Sequence, residues 1–133
     1  MGQHEPVVAT STDMVNSARE LIDNLDPERL AIELSGEVVL IDLREEDELR
    51  SHGRISDSVW APRGMLEFWA DPTSTDHRDE FDPASRIILY CASGSRSALA
   101  GETLRRLGYR SVAHLDGGLK AWKESGRSVE TAE

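Results

Sequence analysis

Ile87-Ile88-Leu89-Tyr90-Cys91-Ala92-Ser93-Gly94-Ser95-Arg96-Ser97 is the stretch that decides the fold of this chain. Four consecutive apolar side chains at 87–90 suit a strand covered on both faces, as in a parallel sheet. From Ser97 the run turns helical, with Ala100, Leu104 and Leu107 at helical spacing and Gly108 where a helix stops. Between strand and helix stands Cys91, the one cysteine in the sequence, followed by small and polar residues. A thiol at such a junction faces converging backbone N–H groups and the positive end of a helix dipole. That setting favours the thiolate, the reactive form of cysteine.

Working outward, Val38-Val39-Leu40-Ile41 reads as a second buried strand, ending in Asp42-Leu43-Arg44. An acidic helix over about 45–51 should follow and end near Gly53. Ser58–Ala61 is expected to be a short third strand closed by Pro62, and Arg63–Trp69 a helix stopped by Asp71-Pro72. The polar, proline-punctuated segment 71–86 reads as the longest loop. After the cysteine helix come a strand over Ser111–Leu115, a turn at Asp116-Gly117-Gly118, and a last helix from Leu119 to about Ser125. Upstream, Asp26-Pro27-Glu28 starts a helix with a capping carboxylate, a proline in the first turn and an acid against the dipole. Ser17-Ala-Arg-Glu20 has capping-box spacing, which places another short helix over Leu21, Ile22 and Leu25, unless the spacing is chance. Strands alternating with helices imply an α/β fold: a central parallel sheet with helices on both faces. Ligand sites of such sheets lie beyond the carboxyl ends of the strands, where Cys91 falls.

A chain of 133 residues accommodates one domain with a real core. The organisation expected is a flexible segment over 1–13, one domain over 14–129 and a short tail over 130–133. The net charge of −10 opposes electrostatic binding to nucleic acid or an anionic membrane. No apolar run is long enough for a membrane span, and no signal peptide opens the sequence. A single cysteine cannot close an internal disulfide, so the chain reads as cytoplasmic. The cysteine count and four scattered histidines also argue against a zinc site, so neither metal nor organic cofactor is expected.

Three markers in order resemble the single-domain rhodanese family from about Asp26 to Val129. Val39-Leu-Ile-Asp42-Leu-Arg44, with Glu48 after it, is similar to that family's strand ending in Asp-x-Arg and the acid that follows. Tyr90-Cys91-Ala-Ser-Gly-Ser-Arg96-Ser97 is similar to its active-site loop, and Leu115-Asp116-Gly117-Gly118-Leu-Lys-Ala121-Trp122 to its closing turn and helix. Pro62–Trp69 resembles an insert found in a subset of these domains. The chain departs from the family at Gly53-Arg54-Ile55-Ser56-Asp57-Ser58, where the family often reads Gly-His-Ile-Pro-Gly-Ala. The missing residues shape a turn, so the fold expectation stands and the local geometry is open.

The resemblance implies a sulfurtransferase: a thiolate that takes a sulfane sulfur from a thiosulfate-like or persulfide donor, holds it as a persulfide, and passes it to a thiol, cyanide-like or protein acceptor. A low thiol pKa favours both the anion and its departure. Cys91 is the expected nucleophile. N–H groups of residues 92–96 can ring the sulfur, Gly94 freeing the turn and Ala92, Ser93 and Ser95 leaving the sulfur accessible. Arg96, beside Ser97, can supply charge to an anionic donor or brace the loop carboxyl groups, and a mixed role is expected. Without a second thiol, the sulfur must leave to an external acceptor.

Other residues invite competing readings. By position alone, Cys91 also fits an inert core cysteine. Asp42 suits structural hydrogen bonding more than substrate contact, and Arg44 and Glu48 suit ion pairing that holds loops. Arg63 either reaches the strand-end face or is a plain surface residue. His52, His77 and His114 show no nucleophile–base spacing to Cys91, and Trp60, Trp69 and Trp122 read as packing. The competing enzyme class is a cysteine phosphatase or arsenate reductase, whose loops read Cys-x5-Arg. Cys91 to Arg96 is Cys-x4-Arg, a smaller cradle better matched to one sulfur than to a tetrahedral phosphate. A non-catalytic, partner-binding module of the same fold is the third reading, and the presence of Cys91 weighs against it.

Overall fold

Strand register sets the architecture, and the sheet is parallel throughout. A computed structural model describes residues 9–131. Five strands, β1 (Asp23–Leu25), β2 (Val39–Asp42), β3 (Val59–Trp60), β4 (Arg86–Tyr90) and β5 (Ser111–Leu115), lie in the order β1-β5-β4-β2-β3. Ile88 is level with Leu40 on one side and Ala113 on the other, so β4 is flanked on both edges. The helices are α1 (Ser11–Arg19), α2 (Pro27–Glu33), α3 (Glu46–His52), α4 (Leu66–Ala70), α5 (Ser95–Arg106) and α6 (Gly118–Glu124).

Because β2, β4 and β5 are buried on both faces, they read as apolar runs rather than alternations. On one face Ile41, Ile87, Leu89 and Val112 pack with Leu66 and Ala70 of α4 and with Ala100 and Leu104 of α5. On the other, Leu40, Ile88, Tyr90, Ala113 and Leu115 pack with Leu30 of α2 and with Leu119 and Trp122 of α6. Each fully buried leucine, isoleucine or valine among these contributes roughly 1.5–3 kcal/mol. The β2 and β4 ends stay aligned beyond the ladder through Leu43 N–H to the Tyr90 carbonyl at 3.0 Å. Cys91 therefore leaves the sheet at its carboxyl edge, held level with Leu43.

The N-terminal elements differ from the sequence expectation. The helix begins at Ser11, inside the segment expected to be flexible over 1–13, and Ser17–Glu20 is its end rather than its start. Thr10 accepts from the Asp13 N–H and the Asp13 carboxylate accepts from the Thr10 N–H, so a Thr-x-x-Asp box caps it instead. Leu21, Ile22 and Leu25 lie past that helix, and Leu25 belongs to β1, whose Asp23 and Asn24 are too polar to mark a strand. Residues 1–8 of the expected flexible segment lie outside the described residues. The Arg63–Trp69 stretch opens with a 3-10 turn (Arg63–Met65) before α4. Glu130, at the head of the expected tail, pairs with Arg54 through N–H···O bonds of 2.9 and 2.8 Å; residues 132–133 are outside the described range.

The divergent turn at 53–58 keeps a glycine-like backbone without the glycine. Asp57 stands at φ +67°, a left-handed conformation that aspartate tolerates better than most residues. The turn closes through Ser58 N–H to the Ile55 carbonyl, and the Ser58 hydroxyl donates to that same carbonyl at 2.7 Å.

Candidate active site

Two glycines and a strand end shape the loop around Cys91. Gly94 precedes α5 at φ +104°, a value that a side chain would strain, and it turns the backbone so that α5 starts at Ser95, two residues before the expected helix start. Gly118, at φ +62°, lets the start of α6 lie directly on the loop. Leu119 N–H donates to the Cys91 carbonyl at 2.9 Å and Lys120 N–H to the Ala92 carbonyl at 3.1 Å. The loop is thus pinned at one end by β4, at the other by α5, and along its back by α6.

Sγ of Cys91 turns inward. It accepts from Gly94 N–H at 3.2 Å and from Ser97 N–H at 3.3 Å, and it lies 3.5 Å from the Ser97 hydroxyl. This corrects the expectation of a ring built from residues 92–96, since one of the two N–H groups bonding Sγ is that of Ser97. It also corrects the expected accessibility: Cys91 is 1% exposed, because those bonds draw the sulfur beneath the loop. Ala92 is half-buried, while Ser93 and Ser95 are exposed on the rim. The N–H groups of Ser95 and Arg96, in the first turn of α5, have no acceptor within the helix.

Arg96 is turned onto α3. Its guanidinium donates to both oxygens of Glu48 at 2.8 and 2.9 Å, a bidentate pair tying the loop to α3. That bond, together with the Glu45 N–H, holds the Glu48 carboxyl down to about 2, while burial opposes the shift. The same pairing raises the Arg96 guanidinium above its ordinary value against burial, with the Cys91 charge a lesser contributor.

Asp42 and Arg44 form a second, deeper support. The Arg44 guanidinium, 1% exposed, donates to Asp42 at 2.8 and 3.0 Å and to the Gly53 carbonyl at 2.7 Å. Burial opposes its charge, yet the Asp42 bonds hold its pKa above the ordinary value. The Tyr90 hydroxyl donates to Asp42 at 2.6 Å and accepts from the Ile55 N–H at 3.0 Å. Burial first, and the Asp42 charge second, push the Tyr90 phenol well above its usual range. Both charged residues therefore join the strand carrying Cys91 to the 53–58 turn. Arg63 goes elsewhere: it donates to Glu67 and to Thr103 on α5.

His114 is the residue that sequence spacing missed. It is fully buried on β5, level with Leu89 on β4 and Asn24 on β1. Its Nδ1 lies 2.8 Å from the Ser97 hydroxyl and its Nε2 2.7 Å from Asn24 Oδ1. Burial lowers its pKa to about 4, Arg19 adding to the effect and Asp116 opposing it. The available sign was a histidine in a strand of otherwise core residues, one strand away from the cysteine. Beside the loop lies a pocket of about 280 Å³ whose walls include Ala92, Leu119, Glu48, His52, Lys120 and Lys123. Among the described residues, no three His, Cys, Asp or Glu side chains gather as a metal site, and no helix is long and apolar enough to cross a membrane.

Comparison with known proteins gives this geometry a context. The family model described as a rhodanese-like domain matches residues 17–125. A sulfurtransferase of Allochromatium vinosum is 30% identical over 115 residues, covering 85% of this chain and 99% of its own. The polysulfide-sulfur transferase homodimer of Wolinella succinogenes superposes with a TM-score of 0.71 at 28% identity, over 90% of this chain and 85% of its own. A Rhodopseudomonas palustris protein of unknown function, described as a possible tyrosine phosphatase, superposes with a TM-score of 0.87 at 34% identity, over 97% of this chain and all of its own.

Proposed function

The chain belongs to the rhodanese-like family, with the rhodanese fold and sulfurtransferase relatives, and from that premise we propose that it is a sulfurtransferase working through a persulfide on Cys91. The observation that carries this reading is the loop itself. Sγ is held by the Gly94 and Ser97 N–H groups, four residues separate Cys91 from Arg96, and Arg96 is turned onto Glu48 rather than toward the sulfur.

The thiolate of Cys91 attacks the outer sulfur of the donor. A new S–S bond forms at Sγ as the donor's own S–S bond breaks, and its electron pair leaves with the remainder, sulfite if the donor is thiosulfate. The negative charge then sits on the outer sulfur of the persulfide. The Ser95 and Arg96 N–H groups, lacking acceptors in α5, are the donors suited to receive it. A thiol, cyanide or protein thiolate attacks that sulfur, the bond to Sγ breaks, and the Cys91 thiolate returns. Lys120 and Lys123 beside Ala92 favour an anionic donor over a neutral one, despite the acidic chain as a whole.

The Rhodopseudomonas palustris protein's description raises phosphatase chemistry for comparison. Phosphate cradles of the Cys-x5-Arg type need a guanidinium free to pair with phosphate oxygens. Here the spacing is one residue shorter and the guanidinium is already bidentate to a carboxylate. Both features support sulfur. The test is a pair of turnover assays on one preparation: thiocyanate formed from thiosulfate and cyanide, and hydrolysis of an aryl phosphate. Sulfur turnover that vanishes in Cys91→Ser is the expected result. Aryl phosphate hydrolysis dependent on Cys91, without sulfur turnover, overturns the proposal.

A further inference from the structure

Behind Cys91 runs a continuous chain of polar contacts: Sγ to the Ser97 hydroxyl at 3.5 Å, Ser97 to His114 Nδ1 at 2.8 Å, and His114 Nε2 to Asn24 Oδ1 at 2.7 Å. Its direction can be read from the far end. The Asn24 amide nitrogen donates to the carbonyls of Arg19 at 2.9 Å and Ile22 at 3.2 Å, so its oxygen must face His114. Arg19 Nε also donates to that oxygen. An oxygen can only accept, so His114 carries its proton on Nε2 and presents Nδ1 as an acceptor. The Ser97 hydroxyl has one proton, and Nδ1 is its closest acceptor; the Gly94 carbonyl, at 3.3 Å, is longer. Ser97 therefore turns a lone pair, not a proton, toward Cys91.

We propose that His114 is a positioning residue that acts through Ser97 to restrain ionisation of Cys91, by committing the Ser97 hydroxyl proton away from the sulfur. A thiol fits this arrangement, donating S–H to Ser97. The inner sulfur of a persulfide, which is uncharged, fits it too. A bare thiolate keeps the Gly94 and Ser97 N–H groups but meets a lone pair of the Ser97 hydroxyl instead of its proton, and so is held less well than it could be. When the Cys91 proton passes to water or a base, the Ser97 O–H swings from Nδ1 to Sγ, and His114 gives up one hydrogen bond. The imidazole takes up no proton in this step, consistent with burial keeping it neutral to about 4. The charged groups nearest the chain are Asp116 and its ion-pair partner Arg19 near His114, and the Arg96–Glu48 pair near Cys91, with Lys120 and Lys123 lining the pocket beside the loop. This inference rests on Cys91 being the nucleophile, but its test needs no sulfur donor, so it can fail independently of the sulfurtransferase reading.

The test is the pH profile of Cys91 alkylation by iodoacetamide in His114→Gln, Ser97→Ala and the double variant. A glutamine amide reaches the Nε2 position and keeps the Asn24 bond, but it leaves nothing at Nδ1. The released Ser97 hydroxyl then donates to the charged sulfur, where a charge-assisted bond outweighs the Gly94 carbonyl. His114→Gln should move the profile about one pH unit to lower pH. Because a more stable thiolate is a weaker nucleophile, the plateau rate should fall about threefold while the acid-limb rate rises about threefold. In the Ser97→Ala background the same substitution should change neither limb. An unmoved profile, or an equal change without the Ser97 hydroxyl, overturns the proposal. Nitrogen NMR of the wild-type histidine rings is the second reading, and it needs no variant to fold. It should find His114 as the Nε2–H tautomer and neutral down to pH 5; an Nδ1–H tautomer, or titration near neutrality, overturns it.

Discussion

Gly118→Ala should disable the Cys91 loop far more than it destabilises the protein. A Cβ at this position would lie 2.6 Å from the Ala92 carbonyl carbon, the Ala92 oxygen and the Ser93 nitrogen. That is about 0.8 Å inside the 3.4 Å at which ordinary contact begins. All three atoms are backbone, so no side chain can swing away. The loop cannot retreat freely either, because Leu119 and Lys120 hold the Cys91 and Ala92 carbonyls from the same helix. A shift of nearly 1 Å at a reacting centre costs on the order of 10²-fold in rate. The left-handed backbone at φ +62° adds about 1–2 kcal/mol of strain. Gly108→Ala isolates that strain, since it stands at φ +101° with nothing within 4 Å. Both variants should melt several degrees low, at about 4 °C per kcal/mol for a chain of this size. Only Gly118→Ala should lose about 10²-fold in the initial rate of thiocyanate formation. Rates for the two variants within threefold of each other would refute the reasoning.

Three further predictions follow from the supports of the loop. Asp42→Asn leaves the Arg44 guanidinium buried beside a neutral amide and should cost about 3–5 kcal/mol in urea unfolding; a loss under 1 kcal/mol would show the pair to be more solvated than its 1% exposure implies. Glu48→Gln should cost only about 1 kcal/mol, because Arg96 and Glu48 are 37% and 26% exposed and water screens them. Its sign with pH is fixed: the folded carboxyl is depressed to about 2 from 4.5, so its stabilisation is complete above 4.5 and is lost as pH falls toward 2. Wild type and Glu48→Gln melting temperatures should therefore converge over that window, and parallel curves would contradict the assignment. Asp57→Gly should stabilise by about 0.5–1 kcal/mol in thermal melts, by relieving a left-handed aspartate; a lower melting temperature would mean that the aspartate side chain supports the turn.

The elements nearest the cysteine were the most legible in the sequence. The unbroken apolar run of β4 and the glycine before α5 are local consequences of a strand buried on both faces and a turn that needs positive φ. Asp26-Pro27-Glu28 marked α2 by cap chemistry alone, and Asp26 does accept from the Arg29 N–H at 2.8 Å. β1 was not legible: two of its three residues are polar and exposed, and its pairing with β5 is what makes it a strand. The role of Arg96 depended on Glu48, 48 residues away, a contact that arises only once the fold brings the α3 side chain to the first turn of α5. His114 was hidden for the same reason, because its partners are Ser97 and Asn24, separated from it by 17 and 90 residues. The 53–58 turn illustrates the reverse case. Its sequence departs from the family pattern, yet the Tyr90 hydroxyl and the Ser58 side chain hold the backbone closed around Asp57.

The central claim is that Cys91 carries a transferable sulfur, and intact mass spectrometry reads it directly. Protein incubated with thiosulfate should gain the mass of one sulfur atom, the gain should map to the peptide holding Cys91, and cyanide should remove it. Cys91→Ser should gain nothing. A wild-type mass unchanged by both thiosulfate and a persulfide donor, or the same added sulfur on Cys91→Ser, would contradict the account.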